Sequence, residues 1–141
     1  RAAVDLFLAA LRPGPSTPAA PPGPAWKIVA LIPRRPDLSP EEFRAIYETE
    51  HAPLFHASIP DAVAAAIVHY SQDHAVALGR GTAAYDCVTE IGFADRAGVR
   101  VWSDWYLGPE GAVLRDDEER FMDVARRVVI VTEVRDLGNG R

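Results

Sequence analysis

The hydrophobic pattern of this chain switches between periods, and the switches mark its elements. "WKIVALIP" (26–33) is an unbroken apolar run closed by Pro33, the pattern of a strand covered on both faces. "RRPDL" turns the chain. A helix follows, with Ser39 as N-cap, Pro40 where its missing N–H costs nothing, and Glu42 completing a capping box. It is expected to run from Pro40 to about His51, with Pro53 weakening it by removing a bond to Thr49. "AVAAAIVHYSQ" (62–72) reads as a second strand on its "IVHY", although its alanines also suit a helix. "YDCVTEIGF" (85–93) is a third strand. Asp95 caps a helix to about Leu107, "GPEG" breaks it, and another helix covers about 112–125. "RRVVIVTEVR" (126–135) is the last strand.

The order β-α-β-β-α-α-β predicts an α+β fold, a ferredoxin-like antiparallel sheet with helices on one side. Its strands are too apolar for the other side to meet water, and a homodimer is the economical way to cover it. The domain is expected to span 26–137, with 138–141 as a tail. Ahead of it, "RPGPSTPAAPPGPA" (12–25) has the composition of a linker, and 1–11 reads as a short amphipathic helix carrying Val4, Leu6, Phe7 and Leu11. Asp5 interrupts the apolar run, so this start does not read as a signal peptide. The linker also suits attachment to an upstream domain.

Strand alternation places candidate chemistry. Asp86, Val88, Glu90 and Gly92 share one side of the third strand, and Arg127, Val129, Val131 and Glu133 one side of the fourth. The mid-strand Glu90 and Glu133 either line a cavity or are solvated and paired with arginines. On the first helix, Phe43, Ile46, Tyr47, Glu50 and Leu54 form one stripe with His51 at its edge. His51 has two readings: it caps the last carbonyls, or partial burial against a helix C-terminus poises it as a general acid/base. Trp26, Trp102, Trp105 and Tyr106 are either core or the aromatic wall of a pocket.

Composition narrows the classes. A net charge of −5 gives no electrostatic footprint for nucleic acid, and no apolar run approaches the roughly 18 residues of a membrane span. One cysteine, Cys87, allows no internal disulfide, and a cytoplasmic setting is expected. The four histidines lack the i,i+4 spacing of a helical ligand pair, so neither metal nor cofactor is expected. "RDDEER" (115–120) reads as a solvated helix start.

"RRPDLSPEEFRAIYETEHAPLF" (34–55) resembles the signature of the EthD family, within the dimeric α/β barrel superfamily. "HY" (69–70), "YDCVTEIGF", "DDEERFMD" (116–123) and "TE" (132–133) follow in the expected order. The resemblance implies a ferredoxin-like fold whose protomers pair their sheets into a barrel. It implies action on small organic molecules, such as lactone isomerisation or cyclisation and dehydration of polyketide intermediates. Related barrels include cofactor-free anthrone oxygenases. His51 matches the histidine of "HAPL", implicated in proton transfer in the isomerase branch, and His69 lies near a second one. Cys87 stands where the family has glycine.

The functional expectation is a cofactor-independent isomerase, cyclase or dehydratase on a small cyclic or polyketide-like substrate. His51 would move the proton, with Glu90 or Asp86 as its partner. His69, Tyr47, Trp26, Trp102 and Glu133 are the substrate-binding candidates. The imidazole is expected to project into a chamber enclosed by two copies. The alternatives are a cofactor-free oxygenase of a phenolic substrate and a non-catalytic binding or accessory protein.

Overall fold

The computed structural model describes residues 22–79 and 81–138; the expected N-terminal helix and most of the linker lie outside them. Ser39 begins the first helix as its sequence demands: its Oγ accepts from the Glu42 amide, and the Glu42 carboxylate accepts from the Ser39 amide. The helix does not stop near His51. Helix α1 (Pro40–Ile46) runs through a π-turn (Tyr47–His51) into α2 (Ala52–Ser58). Pro53 has no N–H to give Thr49, so the chain widens there instead of breaking, and the Ala52 amide reaches back five residues to the Tyr47 carbonyl.

The π-turn decides which side chains are buried. Phe43, Tyr47, His51 and Phe55 recur every fourth residue and are all buried. In an ideal α-helix such a spacing drifts by about 40° per step. The wide turn absorbs that drift. His51 therefore joins the inward stripe, while Glu50, expected on it, is exposed.

Two further expectations on element boundaries are corrected. Residues 61–66 form a helix, α3 (Asp61–Ala66), because the alanine run follows its helix propensity; strand β2 (Ile67–His74) starts where the β-branched residues do. The last helix before β4 is short: a 3₁₀ turn (Pro109–Gly111) leads into α5 (Ala112–Glu118). Beyond it, bonds from the Arg35 amide to the Phe121 carbonyl and from the Asp123 amide to the Pro33 carbonyl pin the chain against the end of β1. Helix α4 (Arg96–Leu107) is capped by Asp95 as expected. The remaining strands are β1 (Trp26–Ile32), β3 (Cys87–Phe93) and β4 (Val128–Glu133).

The sheet is antiparallel throughout, in the order β2-β3-β1-β4. Its register sets Ile28, Ala30 and Ile32 beside Ile91, Thr89 and Cys87, facing the helices. Two apolar clusters fill that side. One joins Ile28, Ile91 and Phe93 to Phe55, Trp102 and Leu114; the other joins Ile32 and Cys87 to Phe43, Tyr47 and Phe121. Lys27, Val29, Leu31, Val88 and Glu90 face the opposite way, with no helix of the described residues over them. Strand β4 is an edge whose valines and isoleucine are exposed on both faces: Val128 39%, Val129 52%, Ile130 47%, Val131 56%.

Candidate functional site

A cavity of about 290 Å³ lies between the helix-facing side of the sheet and helices α4 and α5. Its walls are apolar: Ile28, Ile91 and Trp102 inside, with Leu107, Val129 and Val131 at the rim. Tyr47, Thr89, Tyr106, Glu118 and Arg127 supply its polar groups. A few convergent polar groups in an apolar cleft are the usual make-up of a small-molecule site.

Glu118, at the end of α5, is the centre of this polar group, and its side chain is only 9% exposed. Its Oε2 accepts from the Tyr106 hydroxyl at 2.6 Å and from Arg127 Nη1 at 2.8 Å. Burial would lower the pKa of Arg127, but the hydrogen bond and charge of Glu118 hold it above the ordinary range. Burial, with the neighbouring Glu118 charge, pushes the Tyr106 hydroxyl up. Burial likewise raises Tyr47 well above its ordinary value. Both phenols therefore stay protonated and can donate. Tyr47 shares a 2.5 Å hydrogen bond with Thr89 on β3.

His51 stands behind Glu118, packed edgewise on Tyr47 and against Phe121. Its Nδ1 lies 2.8 Å from Asp117 Oδ2. A carboxylate accepts only, so Nδ1 carries the proton of that bond. Burial alone would raise the Asp117 carboxyl, but hydrogen bonds from Arg120 and His51 outweigh it and hold the group low. Arg120 ties Asp117 (2.7 Å) to Glu50 (3.0 Å), bracing the pair from outside. His51 Nε2 then points at Glu118 Oε1 across 3.9 Å, too far for a direct bond. An oxygen about 2.8 Å from both would sit about 2 Å off the line joining them. The gap matches a hydroxyl or water able to exchange protons with either.

The expected partners of His51 lie elsewhere. Glu90 is on the opposite face of the sheet, bonded to Lys27 Nζ at 2.7 Å, with His69 Nε2 3.7 Å away. Asp86 accepts from the Arg34 amide at 2.8 Å beyond the start of β3. Glu133 pairs with Arg135 at 3.2 Å near the sheet's end, and Trp26, across from it in the register, lies under the Arg96 guanidinium. Of the substrate-binding candidates, Tyr47 and Trp102 line the cavity; His69, Trp26 and Glu133 do not. The histidines do not converge: His56 lies against Tyr70, and His74 faces Glu48. The expectation that the imidazole enters a chamber between two copies is also corrected, because α1 and α2 turn His51 inward within one protomer.

Sequence reading missed Asp117 and Glu118 as site residues; it left Tyr106 as either core or pocket wall and considered Arg127 only as a partner for a strand glutamate. "RDDEER" was expected to be solvated, yet Asp117 is 13% exposed and Glu118 is buried. The available signal was helical spacing: Leu114 and Glu118, four apart, share the inner face of α5.

The fold defines a ferredoxin-like α+β protein with a largely apolar cavity between its sheet and helices. Within that class the chain belongs to the EthD domain family, whose family model matches residues 35–125. An EthD-like protein from Ralstonia eutropha JMP134 is similar in structure, with a TM-score of 0.58 at 17% identity, over 82% of this chain and 96% of that one. An ethyl tert-butyl ether D (EthD) family protein from Bacillus halodurans C-125 has a TM-score of 0.56 at 16% identity, over 78% and 98%. A dimeric ferredoxin-like protein of unknown function from Thermobifida fusca YX has a TM-score of 0.54 at 18% identity, over 82% and 96%. No curated protein matches the chain significantly in sequence. Among the described residues, no helix is long and apolar enough to cross a membrane.

Proposed function

We propose that this protein is an acid/base enzyme acting, without a cofactor, on a small, largely apolar cyclic molecule held in the 290 Å³ cavity. One observation carries the reading: His51 Nε2 and Glu118 Oε1 face each other at 3.9 Å beside an apolar chamber. Asp117 fixes the ring of His51, and Tyr106 and Arg127 fix the carboxylate. A positioned pair of this kind serves isomerisation, cyclisation or dehydration, each of which needs one proton removed and one returned. Trp102 and Tyr106, stacked at 5.3 Å, offer an aromatic surface for the ring.

The working unit in this reading is a homodimer. The open sheet face carries Val29, Leu31 and Val88 beside the exposed Val128 and Ile130, a contiguous apolar patch of the kind that marks an interaction surface. Two copies meeting through these faces would leave both cavities on the outer, helix-covered sides. Sedimentation velocity tests this arm, with Ile130→Lys expected to give monomers.

The enzymatic arm is tested by turnover on a panel of bicyclic ketones, lactones and hydroxyarenes, with oxygen uptake followed in parallel. His51→Gln is expected to lower kcat by about 10²–10⁴ while the fold is kept. Full turnover by a folded His51→Gln protein would refute the assignment of His51. Oxygen uptake in step with product would move the chemistry to an oxygenase.

A further inference from the structure

The two oxygens of Glu118 are in different situations. Oε2 is occupied by Tyr106 and Arg127. Oε1 accepts no hydrogen bond from the described residues, and Glu118 is one of the residues lining the cavity. Arg127 spends Nη1 on Glu118 and the Met122 sulfur, and one Nη2 proton on the Tyr106 oxygen at 3.4 Å. Its Nε–H and second Nη2–H have no acceptor among the described residues, and it too lines the cavity. One pocket thus holds a free carboxylate oxygen next to free guanidinium donors.

The charges limit what can enter. Glu118 and Arg127 neutralise each other, so a neutral guest leaves the apolar cavity neutral, whereas an anion adds an uncompensated charge in a dry site. If Glu118 takes a proton from a neutral guest, the Arg127 charge is released from its partner as a negative charge appears on the guest. The total stays at zero throughout the transfer. Cation, carboxylate and guest are arranged to move charge without creating any.

We propose that Glu118 removes a proton from substrate carbon and that Arg127 holds the oxyanion so formed. The substrate class is then neutral, flat, apolar carbon acids whose acidic C–H adjoins a carbonyl. This rests on the proposed function and assigns its proton-abstracting and anion-holding groups. Glu118 Oε1 forms a bond to the proton, and the C–H electron pair becomes a carbon–carbon double bond. The carbonyl π pair moves to oxygen, and the Arg127 N–H groups donate hydrogen bonds to that oxyanion. Return of the proton to another carbon of the conjugated anion, or to its oxygen, gives the isomer and restores the carboxylate. His51 Nε2 faces the oxygen that carries the proton in transit. No oxidant or co-reactant is consumed.

Two probes test this without a known substrate. 4-Nitrophenolate mimics the planar oxyanion and reports binding through its visible band; nitrobenzene is its neutral counterpart. Glu118→Gln mimics the protonated carboxyl beside an intact Arg127. It is expected to bind 4-nitrophenolate about tenfold or more tightly than the unaltered protein does, with nitrobenzene affinity unchanged. Adding Arg127→Met should abolish the gain and Arg127→Lys should keep part of it, each variant being checked for a cooperative thermal transition above the assay temperature. If nitrobenzene binds but phenolate affinity ignores both substitutions, the roles of Glu118 and Arg127 are overturned while the pocket stands. If neither probe binds any variant, the pocket reading fails and this inference with it.

Discussion

Replacing Asp117 by Asn tests the support of the site where its energetics are most definite. Asp117 accepts from His51 Nδ1 at 2.8 Å and from Arg120 Nε at 2.7 Å. The His51 bond is mostly shielded, with side chains 4% and 13% exposed, and hydrogen bonds to charged groups are worth about 1.5–3 kcal/mol. Arg120 is half exposed, so its pairing adds only about 0–1 kcal/mol. An asparagine keeps one acceptor and presents a donor where the second oxygen stood, so one of the two bonds must fail. The expected loss is about 2 kcal/mol, or about 8 °C at about 4 °C per kcal/mol for a domain of this size. The pH dependence is sharper. The folded carboxyl titrates below its ordinary 3.8, because bonds from Arg120 and His51 outweigh burial. Its stabilisation is therefore complete above that ordinary value and is lost as pH falls through it towards the folded one. Asp117→Asn lacks this contribution at every pH, so thermal transitions of the two proteins should differ near neutrality and converge below about pH 4. Nitrogen-15 spectra of the imidazole should show the proton leaving Nδ1 in the variant where the amide turns its NH₂ inward. A loss under about 0.5 kcal/mol at neutral pH, or curves that stay parallel into acid, would refute the argument.

Three other expectations follow from packing and burial. Phe121, fully buried against Phe43, Tyr47 and His51, should cost about 3–5 kcal/mol as Phe121→Ala by urea denaturation, since the cavity would open beneath three rings. His74 has a 7% exposed side chain and an unpartnered Nδ1; burial, the larger effect, lowers its pKa from 6.5 despite Glu48 nearby. It thus contributes stability above that value that is lost as pH falls through it, and His74→Phe should flatten the thermal stability profile just below pH 6.5. A Cβ on Gly92 would meet Pro24 Cβ at 2.6 Å and His69 Cβ at 2.8 Å, so Gly92→Ala should cost about 1–3 kcal/mol unless residues 22–25 lift from the sheet, which proteolysis would detect.

Much of this molecule follows from local rules. The capping box at Ser39, the Asp95 cap, the apolar run of β1 and the alternation of β3 each act within a few residues, and the antiparallel α+β fold follows from their order. His51 was legible as a candidate because it stands at the end of an apolar helical stripe. Its burial was not, since that depends on a π-turn, which a proline without an amide permits but only packing against Tyr47 and Phe121 selects. The alanine run at 61–66 was misplaced for a local reason: it was joined to the strand of "IVHY" although alanine favours helix.

The partners of His51 could not be found by sequence alternation. Period two correctly puts Glu90 on one face of β3 but does not say which face the helices cover, and they cover the other. Asp117 and Glu118 come from a segment sixty-odd residues beyond His51, in a charge run that reads as solvent-facing. What the sequence determined alone is the four strands and the major helices in their order, two helix caps and the identity of one imidazole. What only the tertiary structure decided is which acids meet that imidazole and where the cavity opens, because both depend on how α5 packs over the sheet that β4 completes, a non-local choice that no short window of residues contains.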